Sequence, residues 1–186
     1  MNKSTYTGGG TVVTKKLLVI ILRFLIIYFI LTGLYHFILS VSKPDFFTML
    51  TARQVNLLYH LSGYQTDVIV LDNPGEIGIM DNVRWFVKII EGCNGMSVIL
   101  FNLAFIFAFP ARPGKKVLYA LVSSVILWFI NLIRIYILGM VYVYHTRYFD
   151  IFHRVFFPAI IYASLVLIWF VWIKMLTNAS GETGYK

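Results

Sequence analysis

Four stretches of the chain are apolar almost without interruption, and a segment of mixed character separates the first from the second. The apolar stretches run over residues 17–41, 94–111, 117–143 and 155–173. Each approaches or exceeds the ~20 residues that a helix needs to cross a bilayer, with 94–111 the shortest. Arg23 interrupts the first about two turns from its start, near enough to the interface to snorkel. That run is about twice the length of a secretory h-region and lacks a small-x-small cleavage site, so it reads as an uncleaved anchor.

The segment over 43–92 has a different rhythm. From Phe46 to Tyr64, Phe47, Leu50, Leu57, Leu58 and Leu61 recur at helical spacing, which predicts an amphipathic helix lying on or against the bundle. Two short β-like runs follow, 67–71 and 77–80, joined by Asp72-Asn73-Pro74-Gly75-Glu76, a Pro-Gly turn. A third run, 84–90, leads into Glu91-Gly92-Cys93-Asn94-Gly95. The pattern predicts a β-hairpin or three-stranded patch capping the outer ends of the spans. With no repeat or linker, residues 1–186 read as one domain. The expected fold is an all-α integral membrane protein of four transmembrane helices with a small amphipathic helix and β-hairpin cap.

Composition removes the main alternatives. Of 186 residues, 59% are hydrophobic and only 13% charged, against roughly half and a quarter in soluble domains. That excess of apolar surface has no place on a water-soluble enzyme or a disordered chain. The net charge of +8 could suggest nucleic acid, but its distribution says otherwise. Four spans put residues 1–16, 111–116 and 174–186 on one side, where Lys3, Lys15, Lys16, Arg112, Lys115, Lys116, Lys174 and Lys186 against Glu182 sum to +7. Residues 43–92 and 145–154 sum to −1. Short loops rich in lysine and arginine stay cytoplasmic, so both termini are expected in the cytoplasm and 43–92 outside, in an inner-membrane protein. The charge encodes orientation, and no nucleic-acid partner is expected.

Three residue types carry candidate chemistry. Cys93 is the single cysteine, in a Gly-Cys-Asn-Gly turn just before a helix, where backbone N–H groups favour a thiolate and the flanking glycines admit a close approach of backbone. A small buried hydrophobe is the plainer reading. Arg134 lies 18 residues beyond Lys116, about 27 Å along a helix and so near the outer edge of the ~30 Å hydrocarbon core. It either snorkels or serves a site. Asn131 shares its helix face. His153 opens the fourth span, with Asp150 one turn earlier as candidate N-cap and imidazole orienter. An imidazole at that end suits a general base; His145 and His60 are alternatives, and His36 reads as an interfacial aromatic. The topology brings Cys93, Arg134 and His153 to one membrane face, a constellation suited to acyl transfer.

Those residues carry a resemblance. GCNGMSVIL, NLIRIYIL and HRVFFPAIIY, in that order around membrane spans, resemble the exosortase/archaeosortase family over about half of the chain, from Trp85 to Tyr162. The family pattern is a Cys in a small-residue turn, an Arg in a later helix and a His at the head of the next. The resemblance implies a membrane cysteine protease or transpeptidase that recognises exported proteins by a C-terminal tail of short motif, transmembrane segment and basic cluster. It implies Cys93 as nucleophile, Arg134 as stabiliser of an oxyanion or substrate carboxyl, and His153 as acid/base. Asn94, Gly95, Asn131, Asp150 and His145 would support them. The implied acceptor is an amine, a hydroxyl or water, with a lipid-linked molecule among the options, and membrane lipids surround the protein. Two features depart from the pattern: the commonest family turn is Cys-Ser-Gly, and many members have about eight spans. The shortness resembles the compact F-type branch.

Other readings make distinct predictions. A non-catalytic membrane scaffold would tolerate Ala or Ser at Cys93. A transporter needs a polar path between faces, which Arg23, Arg134 and scattered Asn and Ser residues barely offer. No Cys/His cluster has metal-ligand spacing and no His or Cys pair suits a haem, so no metal or cofactor is expected.

Overall fold

A computed structural model describes residues 8–41, 46–73 and 75–181. Lys3, Lys43, Pro74, Glu182 and Lys186, which entered the charge and turn readings, lie outside them. Among the described residues there are six helices and one sheet, in the order α1 (Gly8–Val41), α2 (Phe46–Leu61), β1 (Asp67–Val70), β2 (Glu76–Met80), β3 (Trp85–Ile90), α3 (Met96–Ala108), α4 (Pro113–Tyr144), α5 (Phe149–Ile151) and α6 (Phe157–Gly181). Single 3-10 turns sit at Glu91–Cys93 and Thr146–Tyr148, and a π turn at Phe152–Phe156.

Among the described residues three helical stretches are long and apolar enough to cross a membrane: Thr14–Val41, Pro113–Tyr144 and Thr146–Asn178. The second expected span, 94–111, is a shorter helix, the 13 residues of α3, about 20 Å long at 1.5 Å per residue. Its two ends explain the difference. Gly95, at φ +83°, breaks the helical path on one side, and Phe109 is extended on the other, as a residue preceding proline (Pro110) prefers. α3 packs chiefly on α1 and α4 and also on α6. Its Ile99 and Leu100 are buried in one cluster with Tyr35, Leu39, Leu127 and Leu165. Facing away from the bundle, Leu22, Phe29 and Phe37 of α1, Leu118 and Phe129 of α4, and Val166 and Phe170 of α6 remain exposed, an apolar jacket suited to lipid.

The three β-like runs are strands of one antiparallel sheet in the order β1-β2-β3, with Ile69 opposite Gly78 and Ile77 opposite Ile89. At the β2–β3 turn the Asp81 carboxylate accepts from the N–H groups of Val83 (2.8 Å) and Arg84 (2.6 Å), and those bonds hold its pKa below the usual carboxylate range. One irregularity matters: Met80 pairs with Trp85 but Ile79 with Val87, so Phe86 is an extra residue bulged out of β3. The sheet packs on α2 and α4 through Val55, Tyr59, Ile77, Ile79, Phe86, Ile89, Leu132 and Ile135. Gly139 allows this approach, because a methyl group there would collide with the Tyr59 hydroxyl and stand 3.1 Å from the Phe86 carbonyl oxygen.

Helix α2 forms where expected, and its packed face coincides only in part with the apolar stripe. Thr48, Thr51, Ala52, Val55 and Tyr59 are buried, whereas Leu57 and Leu61 are 56% and 76% exposed. Phe47 and Leu58 of the stripe pack against the core as well, so the stripe is split between the packed and the exposed side of the helix.

Candidate active site

The Cys93 turn is tied from three sides. The 3-10 turn Glu91–Cys93 follows β3 directly, and Asn94 and Gly95 carry the chain into α3. Asn131 of α4 donates from Nδ2 to the Cys93 carbonyl at 3.1 Å. The Asn94 side chain, with no accessible surface, donates to the Tyr35 hydroxyl of α1 at 2.6 Å and to Thr48 Oγ1 of α2 at 3.0 Å. Its Oδ1 accepts from the Met96 N–H at 3.0 Å, closing the turn onto the first residue of α3. A buried amide that loses such partners costs roughly 1–3 kcal/mol, so the turn is held firmly. Gly95 serves the same end: besides its positive φ, a Cβ there would lie 2.9 Å from Asn131 Nδ2. Gly92 has no such role, since nothing lies within 4 Å of where its Cβ would stand. The expected close approach therefore belongs to one flanking glycine.

Cys93 is partly buried and borders a cavity of about 360 Å³. Arg134 of α4 and His153 of the π turn border it too. Three residues separated by 41 and 19 positions in sequence thus meet around one space. The Nε of Arg134 is buried and without a hydrogen-bond partner, and no ion pair to Arg134 occurs among the described residues. A guanidinium in that condition is a strong donor awaiting an anion or a carbonyl oxygen.

The histidine side is built differently from expectation. His153 does not open a helix. The helical path begins at Thr146, and His153 lies in the π turn, where the Phe157 N–H bonds to the Phe152 carbonyl five residues back. Pro158 accounts for the widening, because it has no N–H for the Arg154 carbonyl and its ring would clash with that oxygen. Single π turns of this kind recur at functional sites. Asp150 neither caps the helix nor orients the imidazole: it is 81% exposed, its carboxylate 3.8 Å from Arg154 Nε. The imidazole is instead stacked on Phe149, with ring centroids 5.5 Å apart and planes within 6°. His145 is exposed at the end of α4 and borders a separate cavity with Val141, Tyr148 and Phe152. His60 donates from Nε2 to the Thr66 carbonyl at 2.6 Å, away from Cys93.

The rest of the wall was missed in the sequence. It comprises Leu71, five successive residues of β3 from Trp85 to Ile89, and Ile135, Leu138, Tyr142 and Phe149. A signal existed in α4, where Arg134, Leu138 and Tyr142 form an i, i+4, i+8 stripe. Among the described residues no group of three or more His, Cys, Asp or Glu is placed to hold a metal ion.

Fold and site together define a helical membrane protein with a thiol, a guanidinium and an imidazole around one largely apolar cavity. The sequence model of the transmembrane exosortase family matches residues 10–172, and the chain belongs to that family of membrane sorting enzymes. Curated proteins and solved structures yield no match.

Proposed function

We propose that the protein is a cysteine protease/transpeptidase that removes the C-terminal sorting tail of exported proteins and passes them to an acceptor. The observation that carries this reading is the single cavity bordered by Cys93, Arg134 and His153. In the proposed cycle the substrate's transmembrane tail docks laterally among α3, α4 and α6, with its motif beside Cys93. The Cys93 thiolate attacks the peptide carbonyl carbon, and the developing oxyanion is met by Arg134. The bond to the leaving nitrogen breaks as His153 delivers a proton to it. The resulting thioester is attacked by an acceptor amine, hydroxyl or water, whose proton returns to His153 while the thiolate is released.

The charge distribution supports cytoplasmic termini and an active site on the extracytoplasmic face of the inner membrane. With that orientation α3 acts as the fourth membrane element, short because its outer end supports the Cys93 turn. Cells expressing the protein together with its cognate tailed substrate test the reading. Cys93→Ser is expected to leave the tail attached. Removal of the tail at the normal rate by that variant contradicts the proposal and favours a scaffold.

A further inference from the structure

Successive side chains of a strand point to opposite faces of its sheet, so a cavity resting on one face touches every second residue. The cavity at Cys93 touches five in a row, Trp85 to Ile89. Phe86 has its ring committed elsewhere, against Tyr59 and Tyr64 at centroid distances of 4.9 and 5.3 Å, so it borders the space with its main chain. The cavity therefore runs along the edge of the strand. That edge is free: β3 is the last strand of the order β1-β2-β3, and among the described residues no backbone bond joins its outer side to another element. At Phe86, where the bulge sits, the main chain lies close to Gly139 of α4. Val87, Lys88 and Ile89 border the cavity between that point and Cys93, with Arg134, Ile135 and Leu138 of α4 opposite.

Main-chain N–H and C=O groups facing a largely apolar space need partners, and an extended peptide supplies them in the right spacing. We infer that the substrate's sorting motif binds as a fourth strand, its main chain paired with the outer edge of β3 over Val87–Ile89. β3 runs straight into the turn that bears Cys93, so a paired strand delivers its next peptide carbonyl to the thiol and to the unpartnered Arg134 Nε. Recognition through the main chain makes affinity depend on extended backbone, and leaves side-chain preference to the pockets beside Trp85, Tyr142 and Phe149. Glu76 holds Lys88 across the β2–β3 pair at 2.5 Å, which keeps that long side chain tethered to the sheet.

The inference rests on Cys93 being a reactive thiol, and the test separates the two. The full chain in lipid nanodiscs is treated with acetyl-tetra-alanine chloromethyl ketone, with the same peptide N-methylated singly at each position, and with chloroacetone, which carries the electrophile alone. Thioether formation is followed by intact mass, and Cys93→Ser, which lacks the thiol, is the blank that subtracts any alkylation of histidine. The peptide is expected to label Cys93 at least about tenfold faster than chloroacetone. N-methylation should slow it about fivefold or more at alternate positions and less than about twofold between them, the loss of one main-chain hydrogen bond at a time. Equal rates for peptide and chloroacetone, or N-methyl effects without alternation, overturn strand addition while leaving the reactive thiol standing. Chloroacetone labelling of Cys93 no faster than a cysteine in the unfolded chain overturns both.

Discussion

The two sides of the candidate site are held by different physics. The Cys93 turn is fixed by directional bonds: Asn131 on its carbonyl, and Asn94 reaching Tyr35, Thr48 and Met96. Among the described residues the His153 side has no comparable bond; its imidazole stacks on Phe149 within a π turn that Pro158 imposes. Hydrogen bonds to a buried amide fix position and orientation together, whereas ring stacking leaves freedom to slide. A nucleophile that must meet one carbonyl benefits from the first arrangement. An acid/base that serves a leaving group and then an acceptor benefits from the second.

Removing the imidazole is the severest way to break the comparison. His153→Gln should lower tail processing by about 10²- to 10⁴-fold, the usual contribution of a positioned acid/base, while His145→Gln changes it less than about twofold. Comparable losses from both variants would mean that the cavity boundary misidentifies the acid/base. Next in size is Pro158→Ala, which restores an N–H for the Arg154 carbonyl and lets the π turn relax to α. Moving His153 by about 1 Å should cost on the order of 10² in rate with the melting temperature unchanged or raised. Activity retained after crystallographic or spectroscopic evidence of a regular helix would remove the π turn from the account. On the bonded side, Asn94→Ser installs the commoner family residue but cannot reach Tyr35 and Thr48 together. Thermal unfolding should report a loss of about 1–3 kcal/mol, recovered in part when Tyr35→Phe is added. The smallest effect is expected of Asp150→Asn. An exposed ion pair contributes about 0–1 kcal/mol, so rate and pH profile should both stay put. A shifted profile would restore Asp150 as the partner of His153.

Three long apolar helices were legible because lipid demands long apolar runs, and the strands because alternation and Pro-Gly turns mark them. Charge placement in the sequence led to the expectation that Cys93, Arg134 and His153 share one side, and the three border one cavity. What failed did so where the bilayer or a single proline inverts a rule learned from soluble proteins. Leu57 and Leu61 of α2 lie on its exposed face, while Thr48, Thr51 and Ala52 lie on the packed one. Asp150 stood in sequence as a cap, yet the helical path had already begun at Thr146. The length of α3 was overestimated because apolar composition continues through Gly95 and Pro110, where the helix does not. The tether from Asn94 to Tyr35 and Thr48 spans 59 and 46 residues, a pairing that no local pattern announces.

The central claim is that Cys93 forms a covalent intermediate, and the direct measurement is the mass of the intact protein during turnover of a tailed substrate. A hydroxylamine-labile adduct on Cys93, equal in mass to the substrate without its tail, is the predicted result. Processing of the substrate at full rate with no such adduct, and undiminished in Cys93→Ala, would contradict it.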